Sequence, residues 1–553
     1  MRRLISLLFF LTIPVFVTFA QNDRSFIKKL EEADYYFSYD SYYDAFPIYL
    51  DLYYSDSSDT DINFKLGVCY FFTVRDFTGA KKYLETARKD FPAANYYLGR
   101  IYHAEEKFDN AIEAFRDYKN YNGVKNYDNS LLDFLIDKSI TAKKMIANKS
   151  SAVIKNIGAP VNSPYPDYVP VISSDERFLL FTSRRKGGVS DAKDPRGEYF
   201  EDIYMAKNKI GEWSEPVNLG RPVNSETHDA CISLTQDGQK LFMFRTNNEL
   251  TGGDIYESYH SGDQWSEPKI IDAEINTKAG LETSVCLTPD EKTLIFSSNR
   301  QGGYGGLDLY FVKKLPTGEW GKARNLGPSV NTPYDEDAPF IHPDGKTLYF
   351  SSKGHKNMGE YDIFKSELIG LDTWSSPENM GYPINSVKDD IYFVVTADRK
   401  KAYFSSNRDG GLGNSDIYQA ILPDNMENLV LLKGTVSTNE PVFSNLKATI
   451  TIIDYETKEI QGIYRTNKKT GKYLLVLHSG KKYKMVVESE GYYSYVDEID
   501  LKDRQGINDL NKFINMEIIE KAEINSIEIE QDSLNNMLPD STITVQPDSL
   551  INE

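Results

Sequence analysis

Cysteine, histidine and tryptophan, which carry much of the chemistry of protein sites, are scarce in this sequence. Its 553 residues include three cysteines, six histidines and four tryptophans. Cys69, Cys231 and Cys286 lie far apart and show no metal-binding spacing. A disulfide between Cys231 and Cys286 and a pair of buried free thiols are both compatible with this pattern. No two histidines stand four residues apart, which excludes the helical zinc motif.

Motifs of nucleophilic and phosphate chemistry are also missing. The sequence contains no Gly-x-Ser-x-Gly elbow and no phosphate-binding loop with the Gly-Lys-Ser/Thr ending. We therefore predict that the chain has no catalytic residues, no cofactor and no metal ion, and that it is not an enzyme.

Positive charge is in deficit. The chain has 63 basic and 82 acidic residues, which gives a net charge of -19. The phosphates of nucleic acids would repel such a surface, so no nucleic-acid partner is predicted. The excess of acid is interpreted mainly as an aid to solubility.

Long hydrophobic runs are confined to the N-terminus. Arg2 and Arg3 precede an apolar run over residues 4–19, and Ala20 supplies a small residue for cleavage. Residues 1–20 are therefore predicted to be a signal peptide, with an uncleaved anchor as the alternative. The run is short for a membrane span and contains Pro14, which favours cleavage. We expect an exported chain without a transmembrane span in its mature form.

A period near 34 residues runs through residues 22–150. Small residues (Ala33, Gly67 and Gly99) are each followed three positions later by tyrosine, and the fragments "KLGVCYF" and "YYLGRIYHAEEKFDNAIEAF" resemble tetratricopeptide repeats. The segment is predicted to be an α-helical solenoid, with a capping helix over residues 130–148. The resemblance implies a concave groove for a protein segment, or alternatively a face that packs on the next domain. The residues it places there are Leu30, Asp34, Phe37, Phe64, Phe71, Tyr96, Arg100 and His103.

Five repeats of about 54 residues fill residues 151–426. Each contains an Asp-Ile-Tyr-like element, beginning at Asp202, Asp254, Asp308, Asp362 and Asp416. Alternating segments such as "KTLYFSS" and Asp-Gly turns indicate four short strands in each repeat. These motifs resemble the PD40 family of WD40-like, TolB-type propellers, which implies a five-bladed β-propeller. The fifth repeat lacks its last strand, and we expect residues 152–158, which carry the same Asn-x-Gly pattern, to supply it and close the ring.

An acid recurs ahead of each Phe-Ser-Ser-Asn-Arg-like segment. These acids are Asp167, Asp229, Glu282, Glu336 and Asp390. A residue present in all five repeats answers a need shared by all five, so a structural role is favoured over a metal or carboxylate pair. By the same reasoning the four tryptophans are interpreted as packing between blades rather than as sugar-binding residues.

Loops that differ between repeats are the predicted recognition sites, with tolerated surface insertion as the alternative. The first repeat carries an insertion and the fourth a distinct corner at the same place. The candidate partner-binding residues are Lys186, Asp191, Arg196 and Tyr199 in the first repeat, and His355 and Lys356 in the fourth.

Residues 427–519 are rich in strand patterns broken by turns. Thr466–Tyr473 resembles the carboxypeptidase regulatory-like module, which implies a transthyretin-like β-sandwich. Residues 520–553 are acidic and polar and are predicted to be disordered.

The order of these segments resembles periplasmic proteins of Bacteroidetes-type bacteria in the OmpA family, including one linked to type IX secretion. The resemblance ends near residue 519, where those proteins continue into an OmpA-like domain, so direct peptidoglycan binding is not expected here. It implies a periplasmic or outer-membrane-associated scaffold that binds envelope proteins. The alternative is a propeller that binds a glycan or another ligand. A hydrolase is the third possibility, and it would need a nucleophile–histidine pair at one rim of the ring.

Overall fold

The computed structural model describes residues 24–519, except 74–76, 122–128, 175, 210, 262–263, 273, 279, 424–428, 439–445, 468–469 and 504–507. The predicted signal peptide and the predicted acidic tail lie outside the described residues. Helices come first and antiparallel sheets follow, which confirms the α plus all-β order expected from the repeats. None of the described helices combines the length and the apolarity that a membrane span requires.

Seven helices in the described part of the chain form an array. They are α1 (24–38), α2 (Tyr42–Ser55), α3 (Thr60–Thr73), α4 (Phe77–Ala87), α5 (Ala94–Ala104), α6 (Phe108–Asn120) and α7 (Asn129–Ala147). From α2 onward, each helix contacts the next one along the chain. The apolar faces of the later helices share one buried cluster, because none of these short helices can bury its own apolar face alone.

Two glycines allow the helices to approach closely. A Cβ atom built on Gly67 would lie 2.7 Å from Cγ of Leu84, and one on Gly99 would lie 2.5 Å from the ring of Phe115. Both distances are shorter than carbon–carbon contact, so only glycine fits at these two positions.

We expect Gly99→Ala to destabilise the array by about 1–3 kcal/mol, as overpacked cores do. The sign of the change in stability is informative, because a Gly-to-Ala substitution at an uncrowded helix position stabilises a helix by about 1 kcal/mol. Thermal unfolding of the variant measures the effect. Adding Phe115→Leu should make room for the new methyl group, so the double variant should lose less stability than the sum of the two single losses. Strict additivity would contradict the packing argument.

Residues 153–421 form twenty-two strands. In chain order they are β1 (Val153–Asn156), β2 (Asp167–Ile172), β3 (Phe178–Ser183), β4 (Asp202–Lys209), β5 (Glu212–Trp213), β6 (Val217–Asn218), β7 (Asp229–Leu234), β8 (Lys240–Thr246), β9 (Gly253–Ser261), β10 (Gln264–Trp265), β11 (Lys269–Ile270), β12 (Glu282–Leu287), β13 (Thr293–Ser298), β14 (Asp308–Lys313), β15 (Arg324–Asn325), β16 (Glu336–Ile341), β17 (Thr347–Ser352), β18 (Asp362–Glu367), β19 (Glu378–Asn379), β20 (Asp390–Val395), β21 (Lys401–Ser406) and β22 (Asp416–Ile421).

These strands make five antiparallel sheets that close into a cycle, which we call the ring. Sheet 1 holds β2–β6, sheet 2 β7–β11, sheet 3 β12–β15, sheet 4 β16–β19, and sheet 5 β20–β22 together with β1. The first strands of neighbouring sheets contact each other all the way round, from β2 through β7, β12, β16 and β20 back to β2. Because β1 pairs with β22 in antiparallel register, the two ends of this segment belong to one sheet.

A buried acid opens the first strand of every sheet in the ring. Each has at most 1 % of its surface exposed and accepts hydrogen bonds from a serine or threonine four or five residues earlier. In four sheets an arginine from the end of the second strand pairs with the acid and also donates to a backbone carbonyl. The four pairs are Arg185–Asp167, Arg245–Asp229, Arg300–Glu282 and Arg408–Asp390. The repeated acid thus has a structural partner in these four sheets.

Sheet 4 departs from this pattern because Gly354 stands where the others have arginine. His355 takes over the arginine's carbonyl contact, with its Nε2 2.7 Å from the oxygen of Val330. No side chain replaces the positive charge of the arginine, because Glu336 makes no ion pair with any of the described residues. Burial raises the pKa of Glu336 to about 7, despite hydrogen bonds from Ser352 and Thr332.

Residues 429–516 form two further sheets, the C-terminal unit. Its strands are β23 (Leu429–Thr438), β24 (Thr449–Asp454), β25 (Ile460–Arg465), β26 (Lys472–His478), β27 (Lys482–Glu488), β28 (Tyr495–Asp500) and β29 (Asn508–Met516). One sheet has the order β26-β23-β29 and the other β25-β24-β27-β28. Both contribute to a single cluster that includes Leu432, Leu475, Ile450 and Met485, so the two sheets bury one core between them.

The array packs against sheets 4 and 5 of the ring. Phe108 and Ala142 share a buried cluster with Met358 and Val387. The aromatic side chain of Phe134 stacks on that of Tyr334, with 4.5 Å between the centroids of the two side-chain rings. These residues of the ring lie in loops after second strands or before first strands, so the array occupies that end of the ring.

The C-terminal unit packs against the opposite end, where the first and second strands of each sheet turn. Arg465 makes a two-pronged ion pair with Glu291, in which Nη2 lies 2.5 Å from Oε2. Its backbone N–H donates to Asp237 at 2.8 Å, and the N–H of Ile463 donates to the carbonyl of Pro289 at 2.9 Å. The unit is therefore fixed to the ring by directional polar contacts.

Candidate functional site

A cleft of about 870 Å³ lies between sheets 1 and 2 of the ring and strand β26 of the C-terminal unit. The turns after β2 and β7 supply one wall, the outer strands β6 and β10 a second, and β26 with the turn before it the third. Its volume falls in the range of small-ligand sites, which usually combine apolar faces with a few polar groups.

Trp265 sets this cleft apart from the equivalent places in the other sheets. The other three tryptophans pack within the ring: Trp374 is buried, Trp320 joins the cluster between sheets 2 and 3, and Trp213 meets the ring of Tyr403 edge-on at 6.1 Å. Trp213, Trp265 and Trp320 are all half-buried, and each packs on one cluster. Trp265 differs from the other two because it also lines the cleft, where its ring lies 4.8 Å from the ring of His260. Because its indole is only half covered, an aromatic surface is available to a ligand.

Five basic residues are among those that line the cleft. They are Arg177, Lys207, Lys209, Arg221 and Lys472. Among the residues that the structure describes, Asp237 is the one acid in the lining, and it is engaged by Arg465 and Thr235. The cleft is thus positively charged in a chain whose net charge is -19.

An unpaired acceptor stands in the wall of the cleft. Oε1 of Gln239 is buried and has no hydrogen-bond partner in the described part of the chain, while its Nε2 donates to the carbonyl of Asp237 at 3.2 Å. Buried polar atoms almost always have partners. A hydroxyl group of a ligand would complete this one.

A second polar cluster lies at the other end of sheet 1, where the array side of the ring begins. Arg184 lies 2.8 Å from Glu201 and 3.0 Å from Asp194, and the hydroxyl of Tyr168 donates to Glu201. Burial alone would raise the pKa of Glu201, but the hydrogen bond from His228 and the charge of Arg184 lower it to about 2. This carboxylate is a fixed anion, held by neighbours of the same chain.

The predicted groove residues of the array do not form one open surface. Leu30 and Phe37 pack in the cluster of the first three helices, and the carboxylate of Asp34 accepts hydrogen bonds from Tyr49 and Lys65. Phe64 stacks on Phe91 at 5.3 Å. These side chains hold helices together.

The remaining predicted residues of the array are turned towards the ring. The guanidinium of Arg100 lies over the rings of Phe71 and Tyr96, at 4.9 and 5.9 Å, and 4.0 Å from Glu360. His103 is buried between its own array and the ring, with Nε2 donating to the carbonyl of Met358 at 2.8 Å. Burial lowers the pKa of His103 to about 4, so it is neutral at physiological pH.

The predicted loop residues fall into two places that do not meet. Lys186, Asp191 and Arg196 are exposed in the insertion of sheet 1, and Tyr199 meets the ring of Tyr165 at 5.8 Å. In sheet 4, Lys356 is exposed and His355 faces inward to the carbonyl described above. Binding of a partner by these residues stays a prediction.

The sequence reasoning missed the cleft. No cluster of metal-ligating side chains exists among the described residues, and the three cysteines are buried and free. Phe178, Trp265 and Lys472 come from segments almost 300 residues apart and meet only because the C-terminal unit packs on sheets 1 and 2. The one usable signal was Trp265, which the repeat made equivalent to three packing residues.

Comparisons with known proteins give similarity of structure only. No protein-family model matches the chain, and no curated protein matches it in sequence. The tetratricopeptide, PD40 and OmpA-family resemblances therefore have no support from family models.

Several solved structures are similar to part of the chain. A xylan beta-1,4-xylosidase from Bacillus halodurans C-125 is 11 % identical, with a TM-score of 0.31, over 65 % of this chain and 95 % of its own. An alpha-L-arabinofuranosidase from Lactobacillus brevis is 13 % identical, with a TM-score of 0.32, over 48 % and 91 %. An alpha-L-arabinanase from Penicillium chrysogenum, in complex with arabinobiose, is 11 % identical, with a TM-score of 0.26, over 50 % and 99 %.

These comparisons correct one prediction. The chain was expected not to be an enzyme, and the presence of several enzymes among the similar structures contradicts that expectation. The absence of familiar motifs was an unsafe basis for it, because catalytic groups are recognised by geometry and can come from distant parts of a sequence. The low TM-scores and identities assign no activity to this chain.

Proposed function

We propose that this chain binds a glycan in the cleft between the ring and the C-terminal unit. The observation that carries the proposal is the half-buried indole of Trp265 in a cleft whose lining also includes Gln239, with its unpaired acceptor. A sugar offers an apolar face that can lie against an aromatic ring and hydroxyl groups that donate hydrogen bonds. The amides of Asn208, Gln236 and Asn467 line the same cleft and can donate and accept.

The proposal includes a finer description of the architecture. The five sheets are taken as the blades of a PD40-like propeller closed by β1, the array as tetratricopeptide repeats, and the C-terminal unit as a transthyretin-like sandwich. With the predicted signal peptide, this order places the protein in the periplasm, in association with the outer membrane. The hypothesis of a secretion scaffold that binds envelope proteins finds no support in the comparisons, and the glycan-binding alternative is preferred.

We expect Trp265→Ala to weaken glycan binding by about thirtyfold, since tryptophan at the centre of a binding site contributes about 2 kcal/mol. Trp213→Ala is the matched control, because Trp213 holds the equivalent place in sheet 1 but lies outside the cleft. A printed glycan array would first identify ligands of the full chain, and calorimetric titration would then compare the variants. Equal losses in both variants would indicate a general loss of folding, and no loss in Trp265→Ala would refute the site.

A further inference from the structure

We propose that the cleft is specific for acidic saccharides, in which the sugar units carry carboxylate groups, as in polymers of uronic acids. This inference rests on the proposed glycan-binding function and names its class of ligand. Its basis is the charge of the cleft, which is opposite to that of the chain as a whole.

The lysines of the cleft have no acidic partner among the residues that the structure describes. Lys207 and Lys209 lie at the C-terminal end of strand β4, and Lys472 is the first residue of strand β26. All three side chains are exposed. None makes an ion pair with any residue that the structure describes. Of the acids near the cleft, Asp237 is almost fully buried and turned to the C-terminal unit, and Glu226 pairs with Arg221 at 2.9 Å, which leaves the three lysines unpaired among the described residues.

The sign of the cleft is opposite to the net charge of the chain. Acidic residues outnumber basic ones by 82 to 63, and many surface lysines elsewhere are paired with acids, as Lys29 is with Asp51 and Lys482 with Glu498. A patch of one sign in a concave surface concentrates ligands of the opposite sign and speeds their association.

Saccharides fit the cleft better than acidic peptides do. The cleft is lined by the aromatic residues Trp265 and Phe178, by cations and by amide side chains. A uronic acid combines a ring with an apolar face, hydroxyl groups and one carboxylate, so it uses all three kinds of group. An acidic peptide could use the cations and, through its backbone, the amides, but it offers no sugar ring to the indole.

The test compares a ligand with its uncharged form. Calorimetric titration of the full chain would use trigalacturonate, its methyl ester and poly-glutamate. We expect trigalacturonate to bind at least tenfold more tightly than the ester at low salt, and the difference to shrink at 1 M salt, where the Debye length falls to about 3 Å. Poly-glutamate should bind weakly.

The second part of the test removes positive charges from the cleft. The double variant Lys207→Gln/Lys472→Gln should weaken trigalacturonate binding by about tenfold and leave the ester unaffected, since each exposed charge pair contributes up to about 1 kcal/mol. Lys484→Gln, an exposed lysine on β27 outside the cleft, is the matched control and should change neither ligand.

The outcomes separate this inference from the proposal beneath it. Equal binding of trigalacturonate and its ester would overturn the acidic class and leave glycan binding standing. Binding of poly-glutamate as tight as that of trigalacturonate would overturn it in favour of an acidic peptide. If a wider glycan array also finds no ligand, the proposed function itself fails.

Discussion

Replacement of Arg465 by methionine should destabilise the attachment of the C-terminal unit by about 3–5 kcal/mol, the usual result of removing one partner of a buried ion pair. Arg465 lies across the junction, and the carboxylate of Glu291 on the ring side has only 8 % of its side chain exposed. Without the guanidinium, that carboxylate would stay buried without a cation. Burial would then raise the pKa of Glu291, which the arginine now holds below its ordinary value.

Chemical unfolding and limited proteolysis would measure this loss, because a detached unit should be cleaved from the ring more quickly. The double variant Arg465→Met/Glu291→Met is the control. Replacing both charges by apolar groups is often close to neutral, so the double variant should recover most of the stability. A double variant as unstable as Arg465→Met would show that the pair itself is not what holds the unit. Glycan binding should fall with Arg465→Met although Arg465 does not line the cleft, because one wall of the cleft belongs to the C-terminal unit.

Replacement of Glu336 by glutamine should flatten the dependence of stability on pH. The carboxyl of Glu336 has an ordinary pKa of 4.5 and a pKa of about 7 in the folded chain, because burial disfavours its charge and no arginine accompanies it. The folded state therefore holds this proton more tightly than the unfolded state. The resulting stabilisation is complete below pH 4.5 and is lost as the pH rises to 7, by about 3 kcal/mol in total.

The free energy of unfolding, measured from pH 4 to pH 8, should fall by about 3 kcal/mol less in Glu336→Gln than in the unaltered chain. The matched control is Glu282→Gln, at the same position in sheet 3, where Arg300 lies 3.3 Å from the carboxylate. Glu282→Gln removes the carboxylate that pairs with Arg300, so its free energy of unfolding at pH 7 should be lower by about 2 kcal/mol. A pH profile that Glu336→Gln leaves unchanged would refute the assignment of the proton to this residue.

The repeats made much of the fold predictable. Residues that recur at fixed spacing mark strands and helices, and the order of helices followed by antiparallel sheets is found in the structure. The departure of sheet 4 is also visible in the sequence, where Lys353 and Gly354 follow the second strand in place of the Asn-Arg of sheets 3 and 5. The raised pKa of Glu336 that results from this departure could not be predicted from the sequence. It depends on which side chains lie near the carboxyl group in the folded chain.

The candidate site could not be predicted in the same way. A repeat shows what its units share, whereas the cleft depends on where the C-terminal unit packs on the ring, which the repeat does not contain. Trp265 and Trp213 hold equivalent places in the sequence, and what distinguishes them is the C-terminal unit above the first and Tyr403 beside the second. Likewise, His103 fits a groove residue by its spacing, but the ring covers it.

The most direct test of the account is a crystal structure of the full chain with trigalacturonate. We expect one sugar ring against the indole of Trp265 and a carboxylate within hydrogen-bonding distance of Lys207 or Lys472. A ligand bound beside Arg184 and Glu201 at the other end of sheet 1, or along the array, would contradict the assignment of the cleft as the site.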